Sequence, residues 1–225
     1  MSFYGLHKYD RCAPMPRHRH AEPYMAIVIE GGYLEAGDIG RIEARSGDVL
    51  LHGSFEAHQD KFEARGATVL NLPLKPGCRS AAGRLGAVDS IVRLAERDLI
   101  EASNKACAEL ELVKSTLGDW PDLLAAALRH DPDLAIANWA EEAGLDPASV
   151  SRGFAKAYGV SPKRFRFEAR TLRAIRGLGH WRGSLACLAA DLGFADQAHM
   201  SRAVASITGV TPARLQAKWV QSSPN

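Results

Sequence analysis

The chain has 225 residues, 46% of them hydrophobic and 24% charged, with a formal net charge of +2. That composition suits a globular protein of one or two domains, and no apolar run approaches the roughly 20 residues a membrane span needs. The opening MSFYGLHKYDRCAP has no apolar stretch after a basic cluster, so neither a secretory signal nor membrane attachment is expected. The four cysteines (Cys12, Cys78, Cys107 and Cys187) are far apart and form no C-x-x-C pair. They read as reduced thiols of a cytoplasmic protein. Charge is unevenly spread: residues 1–130 carry 16 Lys+Arg against 18 Asp+Glu, and residues 131–225 carry 12 against 8. A basic rear half fits a polyanionic partner.

From residue 16 to about 74, short apolar or alternating runs are broken by glycine. Met25–Glu30, Tyr33–Glu35, Gly40–Ala44, Val49–His52 and Thr68–Leu72 read as strands, with turns at EGG, AGD and RSGD. Short strands at near-regular spacing predict a small β-barrel or jelly roll. Within this stretch PRHRHAEPYMAIVIEGG and SGDVLLHGSFEAH resemble the two motifs of the cupins, a small-barrel family. His18 and His20 make the first histidine pair of that resemblance and His58 the third histidine, while Tyr24 stands at the family's glutamate position and Gly53 where a proline is common.

Two readings of these histidines stand. Three imidazoles so spaced suit Zn²⁺, Fe²⁺, Ni²⁺ or Mn²⁺, with Tyr24, Glu22 or water completing the shell. Alternatively His18, His20, Tyr24 and His58 line a metal-free effector pocket, a reading the Tyr-for-Glu change favours. His52, closing the VLLH strand, reads as structural.

From about 82 to 130 the texture turns helical. Leu85, Val88, Ile91, Val92, Ala95 and Leu99 recur at three- and four-residue spacing, as do Ala106, Leu110, Val113 and Leu117. Pro121 sits where a further helix over DLLAAALRH could begin. The first stripe suits a subunit seam, although a stripe packed on its own barrel reads the same.

The rear of the chain says one thing twice. Residues 135–165 align with 184–215, with Ala195 the one extra residue, and 12 of 31 pairs are identical. Such self-similarity marks one supersecondary unit used twice. In each copy a short helix (Ile136–Ala143, then Leu185–Leu192) reaches Gly144 or Gly193, which can adopt a left-handed helix stop. Asp146 or Asp196 then suits the cap of a second helix that ends at Gly159 or Gly209. Helix, tight glycine turn, helix is the helix-turn-helix arrangement.

Each second helix has two faces. Val150, Phe154 and Ala157 form an apolar stripe in the first copy, and Met200, Val204 and Ile207 in the second. The other face is small and polar around one cation: Ala148, Ser151, Arg152 and Ala155, then Gln197, Ala198, Ser201, Arg202 and Ala205. Arginine can bond the two acceptors of guanine in the major groove, and glutamine can pair with adenine.

LGFADQAHMSRAVASITGVTPARL closely resembles the signature of the AraC/XylS family of bacterial transcription regulators, over residues 131–221. The resemblance implies seven helices, two helix-turn-helix units, and a long connector, PKRFRFEARTLRAIRGL, with Phe165, Ala169, Leu172 and Ile175 as its buried stripe. It implies that the second helix of each unit enters one of two adjacent major-groove segments. Position by position, it assigns base-facing roles to Ala148, Ser149, Ser151 and Arg152, and to Gln197, Ala198, His199, Ser201 and Arg202. Two departures reduce the expected grip: Ala205 and Ser206 replace large basic residues, and Ala148 stands where a bulkier reader is usual. Phosphate neutralisation supplies most non-specific affinity.

The expected fold class is therefore α+β: a small cupin-like β-barrel at the front, linker helices, and an all-α rear domain with two helix-turn-helix motifs. The expected domains are a cupin-like effector-binding domain over 1–80, linker or dimerisation helices over 81–130, and the AraC-type DNA-binding domain over 131–225. The expected function is a cytoplasmic, sequence-specific transcription regulator without enzymatic activity, controlled by a small molecule or metal in the front barrel. Its expected partners are double-stranded DNA, that effector, RNA polymerase and a second copy of the chain. The competing reading is a metal-dependent cupin enzyme, a dioxygenase or isomerase, with a helical appendage.

Overall fold

The structure, a computed structural model, describes residues 3–113, 118–131 and 133–222, with side chains of the final helix described to residue 218. It divides into two compact units, Met1–Asp122 with Ala157–Gly159, and Leu123–Lys156 with Val160–Asn225.

The first unit is built on an antiparallel sheet of eight described strands: β1 (Gly5–Tyr9), β2 (Pro14–Arg19), β3 (Tyr24–Gly37), β4 (Gly40–Arg45), β5 (Asp48–His52), β6 (Ala57–Pro73), β7 (Ala81–Arg84) and β8 (Glu111–Val113). The long strands β3 and β6 pair along nearly their whole length. At one end they are flanked by β5 and β1, at the other by β4 and β2, and β7 and β8 extend the β5 edge. Among the described residues the pairing path runs from β1 to β8.

Alternation along the strands sorts side chains onto two faces. One carries Met25, Ile27, Val49, Leu51, Leu70 and Leu72, and is covered by Ile91 of α1 (Val88–Ala95) and by Ala102 and Ala106 of α2 (Leu99–Glu109). Asp98 caps α2 by accepting from the amides of Ile100 and Glu101, and the Ser103 hydroxyl donates to the Pro73 carbonyl at 2.5 Å. The other face gathers Tyr24, Ala26, Val28, Tyr33, Leu50, Phe62 and Val69.

The Leu85-to-Leu99 stripe packs on its own sheet, with Leu85 and Ile91 buried there and Val88, Val92, Ala95 and Leu99 partly buried against it. One expectation changes here. The stripe Ala106, Leu110, Val113, Leu117 is not one helix: α2 ends at Glu109, and 111–113 add a strand to β7. Leu117 lies outside the described residues. None of the four cysteines is in a disulfide.

The second unit is helical. Its described elements are α3 (Trp120–His130), α4 (Ile136–Glu142), α5 (Pro147–Tyr158), α6 (Pro162–Leu178), α7 (Leu185–Asp191), α8 (Gln197–Thr208) and α9 (Pro212–Ser222); six of them, α4 to α9, fall in the 131–221 segment for which seven were expected, and α3 precedes it. Pro147, Pro162 and Pro212 open their helices at a position where the missing N–H costs nothing. The connector α6 buries Phe165, Ala169, Leu172 and Ile175 as expected, and also Thr171, Ala174 and Leu178. Among the described residues no helix is long and apolar enough to cross a membrane.

Candidate functional site

The two short-helix turns of the second unit are built alike. Gly144 and Gly193 take φ of +67° and +71°, the left-handed region. In the first copy the Leu145 amide donates to the Ala140 carbonyl and the Gly144 amide to the Glu141 carbonyl. In the second, Phe194 donates to Ala189 and Gly193 to Ala190. This pair of bonds is the Schellman stop, which satisfies the last carbonyls of a helix. The next helix is then capped by aspartate: Asp146 accepts from the Ser149 amide at 2.8 Å, and Asp196 from the His199 amide at 2.6 Å. Twelve identities therefore encode the same backbone twice.

The helices so launched are two-faced as the pattern predicted. On α5, Val150 and Phe154 are buried, and the Phe154 ring meets Phe165 of α6 edge-on at 5.4 Å. On α8, Met200, Ala203, Val204 and Ile207 are buried. Opposite them, Ala148, Ser149, Ser151 and Arg152 are exposed on α5, and Gln197, Ala198 and Arg202 on α8; Ser201 and His199 are half-buried. The His199 ring packs edge-on against Phe194 at 5.3 Å. The Arg152 guanidinium donates to the Ser149 hydroxyl at 3.1 Å, which holds it along its own helix. The charged groups at the two signature positions are thus both outside the core. Beside them, Arg170 of α6 donates to the Gly193 carbonyl at 2.7 Å and lies over the Phe194 ring at 5.8 Å, fixing the second turn to the connector.

The first unit holds a second constellation, set by strand register. Antiparallel neighbours put side chains on one face within contact of each other. His18 of β2 pairs with His58 of β6, Tyr24 of β3 with His52 of β5, and Glu35 of β3 with Asp60 of β6. The donor atoms of His18, His20 and His58 lie within 4.8 Å of one another, so the three histidines singled out from the sequence do meet. Tyr24 is buried among them, its hydroxyl 3.2 Å from His58 Nε2 and its ring stacked on His52 at 4.4 Å. Glu22 is exposed.

Three members were not legible as site residues. His52, read as a structural strand end, has its ring centroid 4.6 Å from that of His58 and its Nε2 3.5 Å from a Glu35 oxygen. Asp60 lies 3.8 Å from His58 Nε2. Glu35, His52, His58 and Asp60 are all below 9% exposed. Burial decides their charge. It holds His52 down to about 3 and His58 well below the usual imidazole range, so both are neutral. It raises Asp60 to about 7 and Glu35 well above the carboxylate range. Partly buried His20 is lowered to about 4, and His18 is lowered too, in each case mainly by desolvation.

A helix-turn-helix domain family matches residues 139–218, which span most of α4 to α9. No curated protein matches the chain. Among solved structures, ToxT from Vibrio cholerae strain SCE256, crystallised with an unsaturated fatty acid, is 10% identical and covers 98% of this chain and 96% of that one, at a TM-score of 0.46. The C-terminal domain of AraT, a response regulator from Geobacillus stearothermophilus, is 20% identical, covering 46% of this chain and 88% of that one at 0.42. An AraC-type DNA-binding-domain transcriptional regulator from Chromobacterium violaceum is 20% identical, covering 44% and 91% at 0.41. The family match falls on the segment where the twin capped units repeat, so residues 139–218 form a helix-turn-helix domain.

Proposed function

We propose that this chain is a DNA-binding transcription regulator of the AraC/XylS type that reads specific DNA sequence through α5 and α8, with Arg152 and Arg202 as the principal base readers, and that its first unit is the sensor that governs the reading. The observation that carries this is the matched exposure of two arginines at one position of a duplicated, identically capped unit. A surface of alanine and serine lets each helix approach the groove floor closely, and a single long cation reaches the base edge. Gln197 and Ser149 flank the arginines for further contacts, and His199, half-buried against Phe194, takes a marginal position.

On the sensor side, one interior face of the sheet ends in the His18, His20, Tyr24, His58 group, the place for an effector. A second copy of the chain and RNA polymerase complete the set of partners in this reading, and the regulator works in the cytoplasm. The enzyme reading gains one specific observation, since Glu35 supplies the carboxylate that the cupin motif itself lacks. It requires turnover of a small substrate that chelation abolishes.

The test is selection from a random-sequence duplex pool with the purified protein. The reading expects a shared motif with two information-rich segments about one helical turn apart. Enrichment without any motif refutes sequence-specific reading.

A further inference from the structure

We infer that Glu35, His52 and His58 form a binding site for one divalent transition-metal ion inside the first unit, a set that the histidine motif read from the sequence does not contain. The inference deepens the sensing role proposed above and rests on it for its biological use, but not for its chemistry.

Geometry comes first. The ligand atoms of Glu35, His52 and His58 lie within 4.8 Å of one another, and all three side chains are buried. The Glu35 oxygen and His52 Nε2 are 3.5 Å apart. Two donors at about 2.1 Å from one ion at a tetrahedral angle are about 3.4 Å apart, so this edge already has the span a metal needs. The β3–β6 register sets Glu35 opposite Asp60, two residues from His58, and His52, at the end of β5, reaches the same place with its ring centroid 4.6 Å from that of His58.

The second argument is unmet bonding. Buried polar atoms in native proteins are almost always paired. Here His52 Nε2, His58 Nδ1 and Asp60 Oδ1 are buried with no hydrogen-bond partner among the described residues. Three such atoms in one small volume point to an absent occupant. Gly37 leaves little room beside it: a Cβ there would come within 3.1 Å of the His58 Cβ and 3.3 Å of a Glu35 oxygen.

Chemistry then selects the class of ion. Both imidazoles are neutral, the form that binds metal, and the desolvated carboxyl of Glu35 loses its proton readily only when a cation takes its place. Two imidazoles and one carboxylate suit Zn²⁺, Fe²⁺, Ni²⁺ or Mn²⁺. Calcium and magnesium favour all-oxygen sets, and soft Cu⁺ favours thiolates, of which this set has none. Asp60 stands 3.8 Å from His58 Nε2 and can orient that ring from outside the ligand set. The alternative set, His18, His20 and His58, lacks a carboxylate, and two of its members are half-buried. Because His58 is common to both, one ion takes one set or the other, and the buried set offers the carboxylate that balances its charge.

The experiment is a Zn²⁺ titration of the full chain, stripped with chelator and dialysed, by calorimetry at neutral pH, with bound metal counted by elemental analysis. The expected result is one ion per chain. Affinity should fall at least 100-fold in Glu35→Gln and in His52→Gln, and stay within about 3-fold in the His18→Ala/His20→Ala double variant. No stoichiometric ion in the wild-type chain overturns the inference, as does the reverse pattern among the variants. Circular dichroism checks that each variant is folded. Cobalt absorption bands in the wild-type chain, competed away by Zn²⁺, supply a readout that needs no substitution, and bands identical in Glu35→Gln would equally overturn it. DNA binding is followed separately by fluorescence anisotropy. Loss of the metal result with DNA binding intact defeats this inference alone, and the converse defeats the base-reading proposal alone.

Discussion

Replacing Arg202 with alanine separates base reading from mere attraction to a polyanion. Arg202 is exposed on α8, whose packing rests on Met200, Ala203, Val204 and Ile207 on the other side. Truncation removes no buried surface, so stability should move by less than about 0.5 kcal/mol. A good bidentate contact to guanine is worth about 1–3 kcal/mol of discrimination. At about 1.4 kcal/mol per decade this is a loss of roughly 5- to 150-fold in affinity for the selected sequence. Binding to random duplex should change far less. Each phosphate contact contributes about 0.9 to the salt slope, so the slope of log affinity against log salt should change by much less than that. Anisotropy titrations on selected and random duplexes at several salt concentrations measure all three quantities. Equal losses on both duplexes, together with a slope reduced by about one, would mean that Arg202 grips phosphate and that the base-reading argument is mistaken.

The remaining predictions concern the units that present these helices. Gly144 sits at φ +67° with open space where a Cβ would go, so Gly144→Ala pays for backbone strain alone, about 1–2 kcal/mol by chemical denaturation. Unchanged stability would contradict the left-handed stop. Asp196→Ala removes the carboxylate bonded to the His199 amide and should cost about 1 kcal/mol, with Asp196→Asn recovering most of it; equal losses in the two would argue against capping. Phe154→Ala empties the fully buried edge-on contact with Phe165 and should cost about 3–5 kcal/mol, read as an early thermal transition. A change under 1 kcal/mol would show that the α5 stripe does not hold the reading helix of the first helix-turn-helix copy in place.

The rear domain was legible because its signals are local. A glycine at the stop, an aspartate at the cap and apolar residues three and four apart act over one turn of chain, and the duplication states each signal twice. The front sheet is a different case. Its strand cores were visible, but the first half of β6, HQDKFEARGA, is mostly polar, and β1 and β2 alternate too weakly to stand out. The stripe Ala106, Leu110, Val113 coincided with helical spacing although the chain turns into β8 after Leu110. His18, His20 and His58 could be found because a motif ties them together. Glu35, His52 and Asp60 could not: the β3–β6 register sets Glu35 opposite Asp60, but His52 pairs with Tyr24 at the far end of β3 and meets Glu35 at 3.5 Å only through the course of the sheet in three dimensions, and neither leaves a local mark.

The central claim is that two copies of one helix face lie in successive major grooves. Base-by-base interference mapping on the selected duplex, with guanine N7 methylated, tests it most directly. The account predicts two clusters of interference on one face of the duplex, centred about 10 base pairs apart. Arg152→Ala should erase one cluster and Arg202→Ala the other. A single cluster, or the same cluster lost in both variants, would contradict it.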